Sequence, residues 1–216
     1  MSEPKPSPRR VDTSHLSFGE TLRGTVAFGV DDPRQAGCTP AEAKTDLAVD
    51  LTIGIGDVTR FLNEPSHSAE LTGWVKCDAL GGKLPIETGE FNLLVQGESS
   101  WSRKMLYRVW FRDGAGHMLT LAGEKLVPPA LPAKHPWRDT TTLFTRVLRG
   151  RIEPDGDAEA EIVAAGILYL RPLGFAHQLL TYRAAGPGSN RAAGVGIIGR
   201  FVTFFLGTVA RVYLCE

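Results

Sequence analysis

The segment KMLYRVWFRDGAGHMLTLAGEKL, residues 104–126, gives the clearest indication of the fold. Apolar and polar residues alternate through 104–113 and again through 117–126, a pattern that is typical of half-buried β-strands. Gly-Ala-Gly lies between the two stretches and supplies glycine where a hairpin turn needs positive φ. We therefore predict a β-hairpin, with Leu119, Leu121 and Gly123 on the inward face of its second strand.

The same period of two recurs along most of the chain. Stretches rich in Gly, Pro, Asp and Asn separate the strands and indicate turns, and residues 57–63 and 174–181 are short enough to be single helical turns. Many short strands with polar turns predict a mainly β protein, either an antiparallel barrel or two half-barrels of the lipocalin-like kind. The further predicted strands are 16–28, 45–55, 68–77, 91–96, 142–152 and 159–170.

A weak internal echo suggests how such a barrel arose. FGETLRGTV (18–26) resembles FTRVLRGRI (144–152), and each is followed by a loop and a Gly-rich apolar strand. Duplication of a half-barrel produces this pattern, and so does chance similarity between Leu/Gly-rich strands. We therefore expect one domain over 15–216, with possible duplicated halves at 16–98 and 103–189.

The C-terminal segment 190–214 predicts the only long helix. It contains GVGIIG, Gly194–Gly199, which matches a dinucleotide-binding motif, but GPGSNRAA before it indicates a loop and a helix start where that motif needs a strand. Its length suits a membrane span, yet Arg200 near the middle makes insertion costly. We expect a buried core helix whose glycines allow close approach to the sheet.

Composition excludes several classes of function. The 24 Lys and Arg residues balance 24 Asp and Glu residues, so no overall positive charge attracts nucleic acid or an anionic membrane. Three distant cysteines are typical of a reducing compartment. Residues 1–14 lack the apolar core of a secretion signal, and we expect a disordered lead-in and a cytoplasmic location.

Charged residues interrupt the predicted apolar face of three strands, at Glu20, Lys125 and Arg146. A charge on an apolar face must find a partner or lose its charge. One interpretation is that Glu20 pairs with Lys125 or Arg146 inside the barrel; the other is that these groups line a ligand cavity and orient a polar headgroup. In the strand 142–152 we predict that Phe144, Leu148 and Ile152 face inward, and Arg146 lies on the same predicted face.

Four further residues are candidate ligand contacts: Tyr107, Trp137, Asp139 and His177. The two aromatic residues also suit packing, and Asp139 in HPWRDTTTLF (135–144) also suits a turn that ends the preceding loop. Asp139 with His135 or His177 is the nearest candidate for an acid–base pair. The five histidines lack the spacing of a metal site, so we expect neither a metal nor a cofactor.

Several segments together resemble one family. FGETLRGTVAFG (18–29), GWVKCDALGGKLPIETGEFNLLV (73–95), residues 105–127, WRDTTTLFTRVLRG (137–150) and AAGILYL (164–170) resemble a region of bacterial cholesterol-oxidase-like proteins of the glucose–methanol–choline oxidoreductase type. There it accompanies a flavin domain and sometimes an α/β-hydrolase domain. No flavin fingerprint or catalytic histidine of that family is present. The resemblance implies a stand-alone accessory module near lipid or sterol chemistry, and transfers no catalytic residue.

Three functions are consistent with these patterns. The first is non-enzymatic binding of a lipid or sterol in the barrel, which an apolar cavity of several hundred Å³ favours. The second is an interaction subunit that docks on an oxidoreductase or hydrolase, which an exposed apolar patch favours. The third is a lipid- or sterol-modifying enzyme that uses Glu20, Lys125 and Asp139 for acid–base chemistry. We expect the first.

Overall fold

The computed structural model describes residues 15–97, 99, 102–127, 141–170, 183–185 and 191–214, and for 183–185, 191–195 and 209–214 the backbone alone. The strands are His15–Phe28 (β1), Thr45–Ile55 (β2), Ser68–Cys77 (β3), Gly82–Gln96 (β4), Arg103–Arg112 (β5), Met118–Val127 (β6), Thr142–Arg149 (β7), Ile162–Leu170 (β8) and Arg183–Ala185 (β9). The helices are Pro33–Cys38 (α1), Val58–Asn63 (α2) and Arg191–Leu214 (α3).

The eight strands β1 to β8 form a closed antiparallel barrel. Each strand pairs with its neighbour in sequence, and β1 pairs with both β2 and β8, which closes the sheet. This is the up-and-down arrangement that lipocalins also use. The short strand β9 pairs with the beginning of β1, at residues 15–17, beyond the reach of β8. The predicted antiparallel barrel is therefore confirmed.

The core lies inside the barrel and follows the alternation of the strands. On β1 the alternate residues Leu16, Phe18, Leu22 and Val26 are all buried, whereas Phe28, on the same face, lies at the strand end and is 40% exposed. Burying these side chains removes apolar surface from water, the main favourable contribution to folding. Other inward residues are Val49, Leu51, Leu71, Val109, Leu121, Leu143, Val147 and Leu168.

The strand β4 is longer than predicted. Its first half, GKLPIETG (82–89), lacks a clean alternation because the pairing shifts register twice, between Glu70 and Trp74 with β3 and between Ile86 and Thr88 with β5. Pro85 cannot donate a backbone hydrogen bond, which further weakened the strand signal. The connection between β1 and β2, whose composition indicates turns, contains helix α1, which begins after the N-cap Asp32.

One end of the barrel, the helix-capped end, is covered by α2 and α3. Ile197 and Phe201 of α3 belong to the same buried cluster as the barrel core. The Phe201 ring centroid lies 5.7 Å from that of Phe18 in β1 and 6.1 Å from that of Phe61 in α2. His67 meets the Phe204 ring edge-on at 4.8 Å. A small aromatic cluster therefore holds α3 on this end.

The other end, the turn-closed end, is covered by tight turns. The turn Asp78–Leu80 packs against the β5–β6 hairpin, and the Gly114 amide donates a hydrogen bond to the Leu80 carbonyl at 2.7 Å. Gly81 has φ of +113°, and a Cβ at this position would lie 2.6 Å from the Gly114 backbone. Only glycine fits such an approach without a shift of the chain.

Helix α3 is present as predicted but differs from the expected buried core helix. Among its described side chains, in residues 196–208, Ile197 and Phe201 are buried while Leu206 is 57% exposed. The expected close approach to the sheet is wrong for Gly196 and Gly199, where a Cβ would meet open space, and Gly194 lies outside the residues whose side chains are described. In the part of the chain that is described, the helices fall short of the length and apolarity of a membrane span.

Candidate functional site

A buried cluster of Glu20, Lys125 and Tyr107 lies inside the barrel, one layer below the residues that contact α3. Glu20 follows Phe18 on the inward face of β1, and Lys125 and Tyr107 project inward from β6 and β5. The Lys125 ammonium forms a short ion pair with a Glu20 oxygen. The Tyr107 hydroxyl lies 3.2 and 3.1 Å from the two Glu20 oxygens. The predicted Glu20–Lys125 pair is confirmed.

The cluster is neutral and is almost fully withdrawn from water. The side chains of Lys125 and Glu20 are 2% and 3% exposed. Burial, followed by the negative charge of Glu20, raises the pKa of the Tyr107 hydroxyl well above its usual value. The hydroxyl therefore stays protonated and donates to Glu20. The Lys125 ammonium also lies 4.8 Å from the centroid of the Tyr107 ring, which adds a cation–π contact.

The cluster has an aromatic neighbour, Phe91, and a buried hydroxyl residue, Thr145, at its level of the barrel. The Phe91 ring packs at 4.8 Å from the Tyr107 ring. Thr145 is fully buried on β7, and its partner across the ladder is Gly123, which in turn pairs with Tyr107. Thr145 therefore brings a hydroxyl to the same level of the barrel. Sequence reasoning missed it because it assigned β7 to the wrong face.

The inward placement of Arg146 is wrong. The buried, inward residues of β7 are Leu143, Thr145 and Val147, and Arg146 is exposed on the outside of the barrel. The error has a physical cause, since Phe144 on the outer face is apolar and lies beneath the Arg34 guanidinium. Apolar residues on an outer face that another segment covers give the same sequence pattern as apolar residues that face the core.

The candidates Trp137, Asp139 and His177 lie outside the described residues, as does His135. Of the sequence candidates, the structure therefore brings together Glu20, Lys125 and Tyr107 and places Arg146 elsewhere. Among the described residues, no group of three or more His, Cys, Asp or Glu side chains is arranged to hold a metal ion.

Two sizeable clefts lie on the outside of the barrel. The larger, about 890 Å³, runs beside α2 along β1 to β5 and includes Glu70 and Glu90 together with core residues such as Leu16 and Phe61. The smaller, about 320 Å³, lies outside β4 to β7 and includes Arg34, Phe144 and Arg146. Tyr107 of the buried cluster also borders the smaller cleft, whereas Glu20 and Lys125 line neither cleft.

No family model, no curated protein and no solved structure matches this chain. The resemblance to cholesterol-oxidase-like proteins stays a prediction.

Proposed function

We propose that the protein binds one small, mostly apolar molecule in the helix-capped half of the barrel, and that this molecule carries a single neutral polar group. The observation that carries the proposal is the neutral Glu20–Lys125–Tyr107 cluster, buried directly beneath the layer that α3 covers. An eight-stranded barrel is wide enough either for packed side chains or for one small ligand. The architecture is compatible with this use.

The charge of the cluster selects the class of ligand. Glu20 and Lys125 neutralise each other, so an ionised headgroup would add an unpaired charge to an interior that solvates charge poorly. A hydroxyl or carbonyl adds no charge. It accepts a hydrogen bond from the Lys125 ammonium, and a hydroxyl also donates to Glu20. The chemistry therefore favours a sterol or a neutral acylglycerol over a fatty acid.

The apolar body of the ligand takes the place that Ile197 and Phe201 now fill. These two side chains are the buried contacts that α3 makes with the core among its described residues. The rest of the described helix surface is partly or largely exposed. Displacing α3 exposes these contacts and those of the partly buried Ile198, Phe204 and Phe205, and the ligand restores apolar contacts with Phe18 and Phe61.

Titration of the purified protein with four lipids, followed by native mass spectrometry, tests the proposal. The probes are cholesterol and monoolein, which carry neutral hydroxyl groups, oleate, which is ionised, and hexadecane, which has no polar group. We expect one molecule of cholesterol or monoolein per chain and at least about tenfold weaker binding of oleate, a difference of about 1.4 kcal/mol. Equal binding of all four, or of none, contradicts the proposal.

Glu20→Gln provides the sharpest variant, because it leaves the Lys125 charge without its partner. We expect this variant to invert the preference, so that oleate binds more tightly than monoolein and raises the melting temperature. Leu206→Ala is the matched control, since Leu206 is an exposed residue of the same end of the molecule. An unchanged order of preference in Glu20→Gln shows that the cluster does not contact the ligand.

A second candidate function is that of an interaction subunit that docks on an oxidoreductase or hydrolase. The observation that favours it is the exposed apolar surface of α3, with Leu206 57% exposed. Exposed apolar surface at a helix is typical of contact with another protein. Leu206→Glu separates the two candidates, because it disrupts docking but leaves the lipid titration unchanged.

A further inference from the structure

The smaller outer cleft, which we call the arginine groove, has the construction of a second binding site. Its floor is the outer face of β5 to β7, where Leu106, Ala122 and Phe144 are half-buried. The prolines Pro33 and Pro154 stand in the segments that wall it on either side. Its volume of about 320 Å³ is at the lower end of the range for small-molecule sites.

Two guanidinium groups line this groove without a carboxylate partner. The Arg34 guanidinium lies 4.8 Å from the centroid of the Phe144 ring. Arg146 donates from Nε to the backbone carbonyl of Asp31 at 3.1 Å. Neither arginine forms an ion pair within the described part of the chain. An aromatic ring and a carbonyl therefore hold these groups in place while most of their N–H donors stay available.

The carboxylates that line the groove already have donors. Asp157 pairs with Arg108 at 2.5 Å, and Glu124 pairs with Lys104 at 3.3 Å. Asp32 accepts from the Arg34 backbone amide at 2.6 Å, as the N-cap of α1. Glu90 accepts from the Ser68 hydroxyl at 3.0 Å and from the Asn92 amide at 3.2 Å. None of these contacts engages the side chain of Arg34 or Arg146.

We propose that the arginine groove binds an oxyanion, a carboxylate or a phosphate, carried on a small flat apolar body. Arg34 and Arg146 bind the oxyanion, since planar guanidinium groups match the spacing of its oxygens. Leu106, Ala122 and Phe144 contact the apolar body. The site lies outside the barrel wall, so it stands whether or not the interior binds a lipid.

Calorimetric titration with benzoate, phenyl phosphate and benzamide tests this site. We expect saturable binding of the two oxyanions, and benzamide, which has the same ring but no charge, to bind at least about tenfold more weakly. Whichever oxyanion binds more tightly identifies the headgroup. Failure of both oxyanions to bind, or equal binding of benzamide, overturns the proposal.

Matched arginine variants locate the site. Arg34→Gln and Arg146→Gln are each expected to weaken oxyanion binding about tenfold or more. Arg149→Gln is the control, because Arg149 is exposed on the same strand as Arg146 but pairs with Glu161 at 2.7 Å. If Arg149→Gln and Arg146→Gln weaken oxyanion binding equally, the effect is one of general charge and the assignment of the site to Arg34 and Arg146 is overturned.

Ala122→Glu tests the same site by filling it. Ala122 is the cross-strand partner of both Arg108 and Arg146, so the new carboxylate lies within reach of the free guanidinium. We expect this variant to fold, to melt no lower than the wild type, and to lose oxyanion binding. A folded variant that still binds benzoate as tightly as the wild type places the site elsewhere.

Discussion

The two ends of the barrel are closed by different means. At the turn-closed end, Gly81 and Gly114 bring two backbones into contact and the core is apolar. At the helix-capped end, α3 inserts Ile197 and Phe201 but leaves Leu206 exposed, and the buried charges of Glu20 and Lys125 lie below it. Backbone contacts at the first end cannot yield without breaking the turns, whereas the second end depends on a few side chains of one helix.

This contrast indicates where a molecule enters. A closed sheet has no gap between strands, so access to the interior requires one end to open. The helix-capped end combines the weaker closure with the only described charges of the barrel interior, at Glu20 and Lys125.

Breaking the buried pair has the largest expected effect. Glu20→Leu leaves Lys125 without a partner in the helix-capped half and should lower the free energy of unfolding by about 3–5 kcal/mol. The double variant Glu20→Leu/Lys125→Met removes both charges and should recover most of that loss. Urea denaturation measures both. If the free energy of unfolding of Glu20→Leu is within about 1 kcal/mol of the wild-type value, the pair is not desolvated.

Glycine-to-alanine changes at the two ends should have opposite signs. Gly81→Ala introduces a Cβ at positive φ and close to the Gly114 backbone, so we expect the free energy of unfolding to fall by about 2–3 kcal/mol. Gly196→Ala adds a Cβ in open space on a helix, where alanine is favoured by about 0.5–1 kcal/mol. Thermal denaturation measures the stability of the two variants relative to the wild type. If both variants are less stable, α3 is packed as tightly as the turns.

Alkaline pH should destabilise the protein through one group in each half. Burial raises the pKa of Tyr107 in the helix-capped half and of Cys77 in the turn-closed half. A raised folded-state pKa contributes stability below the unfolded-state pKa, and this stability is lost as pH rises. Above about pH 10, the raised pKa of Tyr107 should lower the free energy of unfolding by up to about 1.4 kcal/mol per pH unit.

Urea denaturation between pH 8 and 11 measures this dependence. Tyr107→Phe should flatten the decline above about pH 10, and Cys77→Ala should flatten it at lower pH, near the ordinary range of a thiol. An identical pH profile in Tyr107→Phe and the wild type would contradict the burial of the Tyr107 hydroxyl.

The smallest expected effect is at the exposed face of α3. Leu206→Ala removes a side chain that is 57% exposed and should change the free energy of unfolding by less than about 0.5 kcal/mol. Phe201→Ala, one and a half turns away and buried, should cost several times more. Equal effects in urea denaturation would show that Leu206 is covered in solution.

The strands that sequence predicts best are those whose alternation is uninterrupted. Thr45–Ile55 and Ser68–Cys77 match their predicted bounds, because turn residues flank a clean period of two. The first half of β4 was missed because Pro85 and two register shifts obscure the period. Helix α1 was missed because six residues are too few for a helical pattern to emerge.

The candidate site was predictable where a single physical rule applies. A charge on an apolar face needs a partner, and this rule alone led from Glu20 to Lys125. It failed for Arg146, because apolar residues covered from outside resemble a core face. The arginine groove was not predictable, since Arg34 and Arg146 are distant in sequence and meet only when α1 packs on β7.

Photo-crosslinking with diazirine analogues of cholesterol and monoolein shows which residues of the barrel contact a bound ligand. After irradiation and peptide mass spectrometry, we expect the label on residues of the helix-capped half, such as Phe18, Tyr107 and Phe201. Label at the turn-closed end, on Leu80 or Leu84, or on the outer face of α3 at Leu206, would contradict it. So would a protein that takes up no label from either analogue.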